Sequence, residues 1–173
     1  MPRRPRYTKR VTLKRSFPPV VDARTQLLIC GSLPGDRSLA AQRYYAHPQN
    51  QFWRLLSPVI GRELAVLNYE DRLAALLDAH VGLWDVVATA TRAGSSDAAI
   101  RDHAPNDLEQ LAATLPRLRA IAFNGSTAYK IGLRLMGEHA PRYALIALPS
   151  SSPLHTIGIA AKQEAWTALG DYL

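Results

Sequence analysis

A chain of 173 residues, 47% hydrophobic and 20% charged, has the size and makeup of one globular domain, which excludes fibrous, fully disordered and multidomain proteins. No apolar run approaches the roughly 20 residues a bilayer span needs, and the basic N-terminus lacks the apolar stretch of a secretory signal. A single cysteine, Cys30, excludes an internal disulfide, and no Cys/His spacing fits a zinc or iron–sulfur site, so a reducing, cytoplasmic setting without metal is expected, nucleoid-associated in a bacterium.

The net charge of +7 is unevenly placed. Arg3, Arg4, Arg6, Lys9, Arg10, Lys14 and Arg15 precede the first acid, Asp22, and supply the whole excess of 21 basic over 14 acidic residues. Residues 1–19, punctuated by proline, read as a basic, disordered arm that either tracks DNA phosphates or only solubilises the chain. Residues 20–173 read as the folded domain. Its first strand is predicted over residues 25–30, an apolar run that stops at Gly31 in the manner of a buried parallel strand, with Cys30 in the core. A loop follows over residues 31–38. A helix is predicted over residues 52–61, and another from the capping Asn68 to Leu77, with acids in its first turn. Residues 82–87, 120–123 and 144–148 read as further strands. Helices are predicted over residues 105–115, stopped by Pro116, over 126–136, and over 156–169. Asp85 and Asp97 read as structural or surface acids.

Strands alternating with helices predict an α/β protein: a single-domain, three-layer α/β/α sandwich around a central, mostly parallel four-stranded sheet. Right-handed crossovers bring the loops after the strands to one edge, where such folds hold their ligand crevice. Three of these loops carry the unusual residues: residues 31–38, Asn124-Gly125, and residues 149–155.

Two stretches carry a family signature. Gly31-Ser32-Leu33-Pro34-Gly35, followed by Tyr44-Tyr45-Ala46-His47-Pro48-Gln49-Asn50-Gln51-Phe52-Trp53, resembles the first active-site region of the uracil-DNA glycosylase superfamily. Asn124-Gly125 and Pro149-Ser150-Ser151-Ser152-Pro153 fall where that superfamily places its other functional loops, and the whole pattern is most similar to the hypoxanthine-DNA (deoxyinosine) glycosylases. The likeness spans residue 26 to the C-terminus. Two departures stand out. Leu33 occupies the place where most members carry an Asn or Asp that holds the attacking water, and Leu148-Pro149-Ser150 replaces His-Pro-Ser. The absence of four cysteines separates the chain from the iron–sulfur branches.

The resemblance implies an enzyme that flips a deaminated base (hypoxanthine, or else uracil or xanthine) out of DNA and hydrolyses its N-glycosidic bond, working as a monomer without cofactor or metal. It makes Asn50 the catalytic residue. An amide is a poor proton acceptor, so Asn50 would orient the water, and with no lysine in the motifs the nucleophile is water rather than an amine. Gly31, Leu33, Tyr45, Phe52 and Asn124 become base-binding residues, Tyr45 by stacking and Asn124 by presenting its amide to the base edge. Pro34, Gly35, Ser38, His47, Ser150, Ser151, Ser152, Pro153, Leu154 and His155 become DNA contacts, with Leu154 as a wedge into the space the base leaves. Taken as residues alone, Asn50 reads first as a loop asparagine after a proline, and Asn124 can also serve as a helix cap. Two alternatives stay open: a uracil- or mismatch-specific glycosylase, and a non-catalytic lesion-binding module, which Leu33 favours. No G-x-G-x-x-G follows the first strand and no G-x-S-x-G elbow occurs, which disfavours a Rossmann oxidoreductase and a serine hydrolase.

Overall fold

The computed structural model describes residues 12–173. In chain order its strands are β1 (Thr12–Arg15), β2 (Leu27–Gly31), β3 (Val81–Asp85), β4 (Val87–Arg92), β5 (Arg101–Pro105), β6 (Ala120–Asn124) and β7 (Ala144–Leu148). The α-helices are α1 (Asp36–Ala41), α2 (Phe52–Ile60), α3 (Tyr69–Asp78), α4 (Leu108–Thr114), α5 (Ser126–Met136) and α6 (Ile159–Thr167).

The central sheet is four-stranded and wholly parallel, in the order β3-β2-β6-β7. Its strands are apolar on both sides because helices cover both. Leu27 and Ile29 pack with Phe52, Leu55, Leu56, Leu76 and Trp166 beneath α2, α3 and α6. Leu28 and Cys30 point the other way, into Leu108, Ala112, Ala128 and Ile131 of α4 and α5. This two-residue alternation gives the expected three-layer sandwich. From β2 the chain crosses to β3 on one side, and from β3 it returns to β6 on the other. The connections leaving β2 and β6 therefore diverge, opening a crevice beyond the carboxyl ends of the strands.

A second sheet, antiparallel and ordered β1-β4-β5, had no counterpart in the sequence reading. Two expectations change with it. The strand expected over residues 82–87 is two strands, because the chain changes sheets at Val86, whose N–H donates to Gly31 O while Val87 N–H donates to Ser32 O. The basic arm is not disordered from Thr12 onward: β1 pairs with β4, and Lys14, nine-tenths buried, donates to Asp36 Oδ1 and Gly94 O. The other expected arm residues, Arg3, Arg4, Arg6, Lys9 and Arg10, lie outside the described residues.

Smaller differences have local causes. The helix expected from Pro105 starts at Leu108, capped by Asp107, because residues up to Pro105 pair with β4. α1 opens inside the expected loop, and the last helix begins at Ile159 after Gly158, whose φ is 88°. Asn68 caps α3 as expected, accepting from Asp71 N–H. Among the described residues no helix is long and apolar enough to cross a membrane.

Candidate active site

At the end of β2, Gly31 leaves room for two functional groups. A Cβ there would lie 2.7 Å from Asp85 Oδ1 and 3.1 Å from Tyr45 Oη, so glycine lets both approach the backbone. Beyond α1 the chain turns sharply at Tyr45, whose φ of 52° is unusual for an aromatic residue. Two hydrogen bonds hold that turn: Trp53 Nε1–H donates to Tyr45 O (3.2 Å), and Ala46 N–H donates to Ser38 Oγ (3.0 Å). The Tyr45 ring lies flat on Phe52, with centroids 3.8 Å apart and planes 6° from parallel. Only its other face is left for a ligand.

A chain of hydrogen bonds links the three loops. Asn50 Oδ1 accepts from Phe52 N–H (3.0 Å) and from the Ser151 hydroxyl (2.8 Å). Asn124 Nδ2 donates to Ser151 Oγ (2.8 Å) and to Tyr45 Oη (3.3 Å), while Asn124 Oδ1 accepts from Ser151 N–H (2.8 Å). Backbone N–H groups face both amide oxygens, which fixes the orientation of each amide. The loop beside Asn124 closes through Gly125, whose φ of 102° brings its backbone against Ser150. From below, α6 pins the third loop. The buried Lys162 Nζ donates to Ser152 O (3.1 Å) and Gln51 Oε1 (2.9 Å), and Trp166 Nε1–H donates to Pro149 O (3.0 Å).

These loops enclose a cavity of about 530 Å³ at the sheet's carboxyl edge. Gly31, Leu33, Pro34, Gly35, Ser38, Tyr45, His47, Asn50, Asn124 and residues 150–155 all line it, so the expected constellation forms one site apart from Phe52. Phe52 is fully buried behind Tyr45; it supports the stacking ring and has no face left for a base. Ser151, 1% exposed, is likewise closed to a phosphate, because its hydroxyl and N–H are spent on Asn50 and Asn124. The Ser38 hydroxyl accepts inside the loop and is buried. The Asn124 amide cannot offer a free donor, since both its hydrogens are taken; one Oδ1 lone pair remains. Nor does Asn124 cap α5, whose N-cap is Gly125.

The sequence reading also misplaced two acids. Asp85 and Asp97 both line the cavity. Asp85, at the end of β3, is 4% exposed, and its Oδ2 has no hydrogen-bond partner among the described residues. Burial first, then the nearby Asp97 charge, push its carboxyl up to about 7, with Arg92 opposing. Burial likewise raises Asp97, whose Oδ1 accepts from the Ser32 hydroxyl. Arg92, 1% exposed, donates to Leu33 O, Pro34 O and Gly94 O, tying the antiparallel sheet to the rim. The Tyr45 phenol, raised by burial and then by Asp85, stays protonated.

Comparison with known proteins agrees with this architecture. The model of the uracil DNA glycosylase superfamily matches residues 18–170. A hypoxanthine DNA glycosylase of Methanosarcina barkeri is 41% identical over 155 residues, covering 88% of this chain and 95% of that protein. One of Methanosarcina acetivorans is 42% identical over 159 residues, covering 91% and 98%. A solution NMR structure from Methanosarcina acetivorans, described as a candidate uracil DNA glycosylase, superposes with a TM-score of 0.80 at 41% identity, covering 92% of this chain and 97% of that one.

Proposed function

The chain belongs to the uracil DNA glycosylase superfamily, and from that premise we propose that it is a monofunctional DNA glycosylase that releases hypoxanthine from deoxyinosine in DNA. One observation carries the reading: Tyr45, Asn124, Ser151 and Asn50 form a single hydrogen-bonded chain on the wall of one cavity. The names of the Methanosarcina relatives point to the same substrate.

The geometry supports a division of labour. An extruded base stacks on the free face of Tyr45, a contact worth on the order of 1–3 kcal/mol. The spare lone pair of Asn124 Oδ1 accepts from the N1–H of hypoxanthine, while the Tyr45 hydroxyl oxygen, by accepting from Asn124 Nδ2, holds that amide in place. Adenine presents the reverse pattern, an acceptor beside a donor, and is refused. The Asn50 carbonyl oxygen is occupied twice, which leaves its amide hydrogens to hold the attacking water by its oxygen at the sugar carbon. Leu154, 72% exposed at the cavity mouth, is placed to fill the vacated stack, with Ser150, Ser152, His47 and His155 around it for phosphates.

Incubated with a deoxyinosine oligonucleotide in EDTA, the purified protein should leave alkali-labile abasic sites and free hypoxanthine. Asn50→Ala should slow release by on the order of 10²-fold. No release by the native chain sinks the activity, while full activity of Asn50→Ala sinks the role of Asn50 alone. Uracil carries the same N–H beside C=O and is the second substrate to assay.

A further inference from the structure

The water and the base edge are accounted for above, but the leaving group is not. When water attacks the sugar carbon, the C1′–N9 bond breaks and its electron pair goes to the base. A purine expelled as a bare anion is a poor leaving group, and protonation of a ring nitrogen makes it a good one. We propose that Asp85 is the general acid of this reaction, touching the extruded purine and handing its proton to a ring nitrogen as the glycosidic bond breaks. The inference rests on the reading that the substrate is a deaminated purine.

Three structural facts place Asp85 in this role. It sits at the carboxyl end of β3, in register with Gly31 of β2, where the glycine lets its carboxyl reach the cavity. It is 4% exposed, so little water competes for its proton. Its Oδ2 is buried without a hydrogen-bond partner among the described residues, so a ligand nitrogen that reaches it meets an unsatisfied group. Its backbone oxygen accepts from Asn106 Nδ2 (2.7 Å), which joins β3 to the segment before α4 without using the carboxyl. The charged and titratable groups around it are Cys30 of β2, Arg92 of β4, Asp97, Tyr44 and Tyr45. Burial, and after it the Asp97 charge, raise the carboxyl to about 7, so that it still carries its proton in part of the molecules at neutrality, and Arg92 moderates this. The atoms balance. Water's oxygen joins C1′, the Asp85 proton leaves with the base, and the proton shed by water returns through solvent to the carboxylate.

Asp85→Asn tests the proposal. The amide keeps the shape and a donor–acceptor pair, so it preserves a role in merely reading the base, but it cannot give up a proton. The native chain should lose kcat as pH rises above about 7, tenfold per unit at the limit, as the acid ionises. Asp85→Asn should lower kcat on deoxyinosine DNA by on the order of 10²-fold, leave KM within about threefold, and abolish the alkaline limb. A variant within threefold of native kcat, or one that keeps the limb, overturns the proposal while leaving the glycosylase reading intact. An alkaline limb lost in Asp97→Asn but kept in Asp85→Asn moves the acid to Asp97 and also overturns it. No hypoxanthine release by the native chain overturns both readings. Thermal melting and lesion-DNA binding by Asp85→Asn show that the variant is folded.

Discussion

Asp85 illustrates how a single residue can cost stability where a site gains chemistry. A carboxyl that titrates near 3.8 in the open chain is raised to about 7 once folded. Between those values the folded state binds a proton that the unfolded state has lost. Its contribution to stability is therefore full below about pH 4 and is lost as pH rises through about 7. Asp85→Asn does not titrate, so it should melt close to the native chain below about pH 4 and at least about 4 °C above it at pH 8. Equal melting points at both pH values would show that Asp85 ionises freely in the fold. The residue-scale reading of the sequence had a motif to follow at some positions and nothing to follow where only burial marks the residue. Asn50, Tyr45 and Asn124 were picked out by the family resemblance of their motifs, and the structure links them through Ser151 and Asn124. Ser151 lies in Pro-Ser-Ser-Ser-Pro, which reads as a turn, and nothing in that string shows that the middle serine points inward to join two asparagines. Asp85 reads as an ordinary acid because desolvation is a property of the fold. Its one sequence signal was a charge inside an otherwise apolar strand.

α6 shows how an element far from the motifs fixes the site. Its inward face sends Lys162 to the carbonyl of Ser152 and Trp166 to that of Pro149, so the loop bearing Ser150 to His155 is held at two points. Among the described residues Lys162 pairs with no carboxylate, only with Gln51 Oε1 and that carbonyl, and burial lowers its pKa. Replacing a buried cation by an apolar side chain of similar length is often near neutral for stability. Lys162→Met should therefore move Tm by less than about 4 °C, yet lower kcat/KM by roughly tenfold, because the charge-assisted bonds that tie Ser152 of the third loop and Gln51 at the start of α2 to α6 disappear. Unchanged kinetics with a large drop in Tm would make Lys162 a purely structural residue. Legibility followed element length and apolar pattern. The four parallel strands and helices α2, α3 and α5 announce themselves by buried runs or a cap. β5 is exposed along its whole length, α1 is six residues long with no side-chain cap, and β1 lies inside a basic run. None of these has a hydrophobic period to read, and their pairing is set by distant partners.

Across the whole molecule, the antiparallel sheet joins the basic N-terminus to the rim of the cavity. Through β1, Lys14 reaches Asp36 at the start of α1 and Gly94 in the loop that brings Ser95 to Ala98 to the cavity wall. Through β4, Arg92 reaches Leu33, Pro34 and Gly94. The seven basic residues ahead of Asp22 therefore divide into two groups by physics. Lys14 and Arg15 belong to a paired strand, whereas Arg3, Arg4, Arg6, Lys9 and Arg10 add five charges ahead of it to a chain whose other charges nearly cancel. If those five neutralise phosphates, each releases counterions, and the plot of log affinity against log salt steepens by about 0.9 per contact. Removing residues 1–11 should leave Tm and the rate of base release from saturating DNA unchanged, while the salt slope for DNA binding becomes shallower by up to about 4.5. Removing residues 1–15 should in addition lower Tm, because Asp36 and Gly94 O lose their buried cation and β4 loses its neighbour. Fluorescence anisotropy at a series of salt concentrations, run beside thermal melts of the three chains, separates the effects. A salt slope that stays the same after the first truncation would leave the five charges with no part in DNA binding, and an unchanged Tm after the second would mean that β1 does not hold the rim.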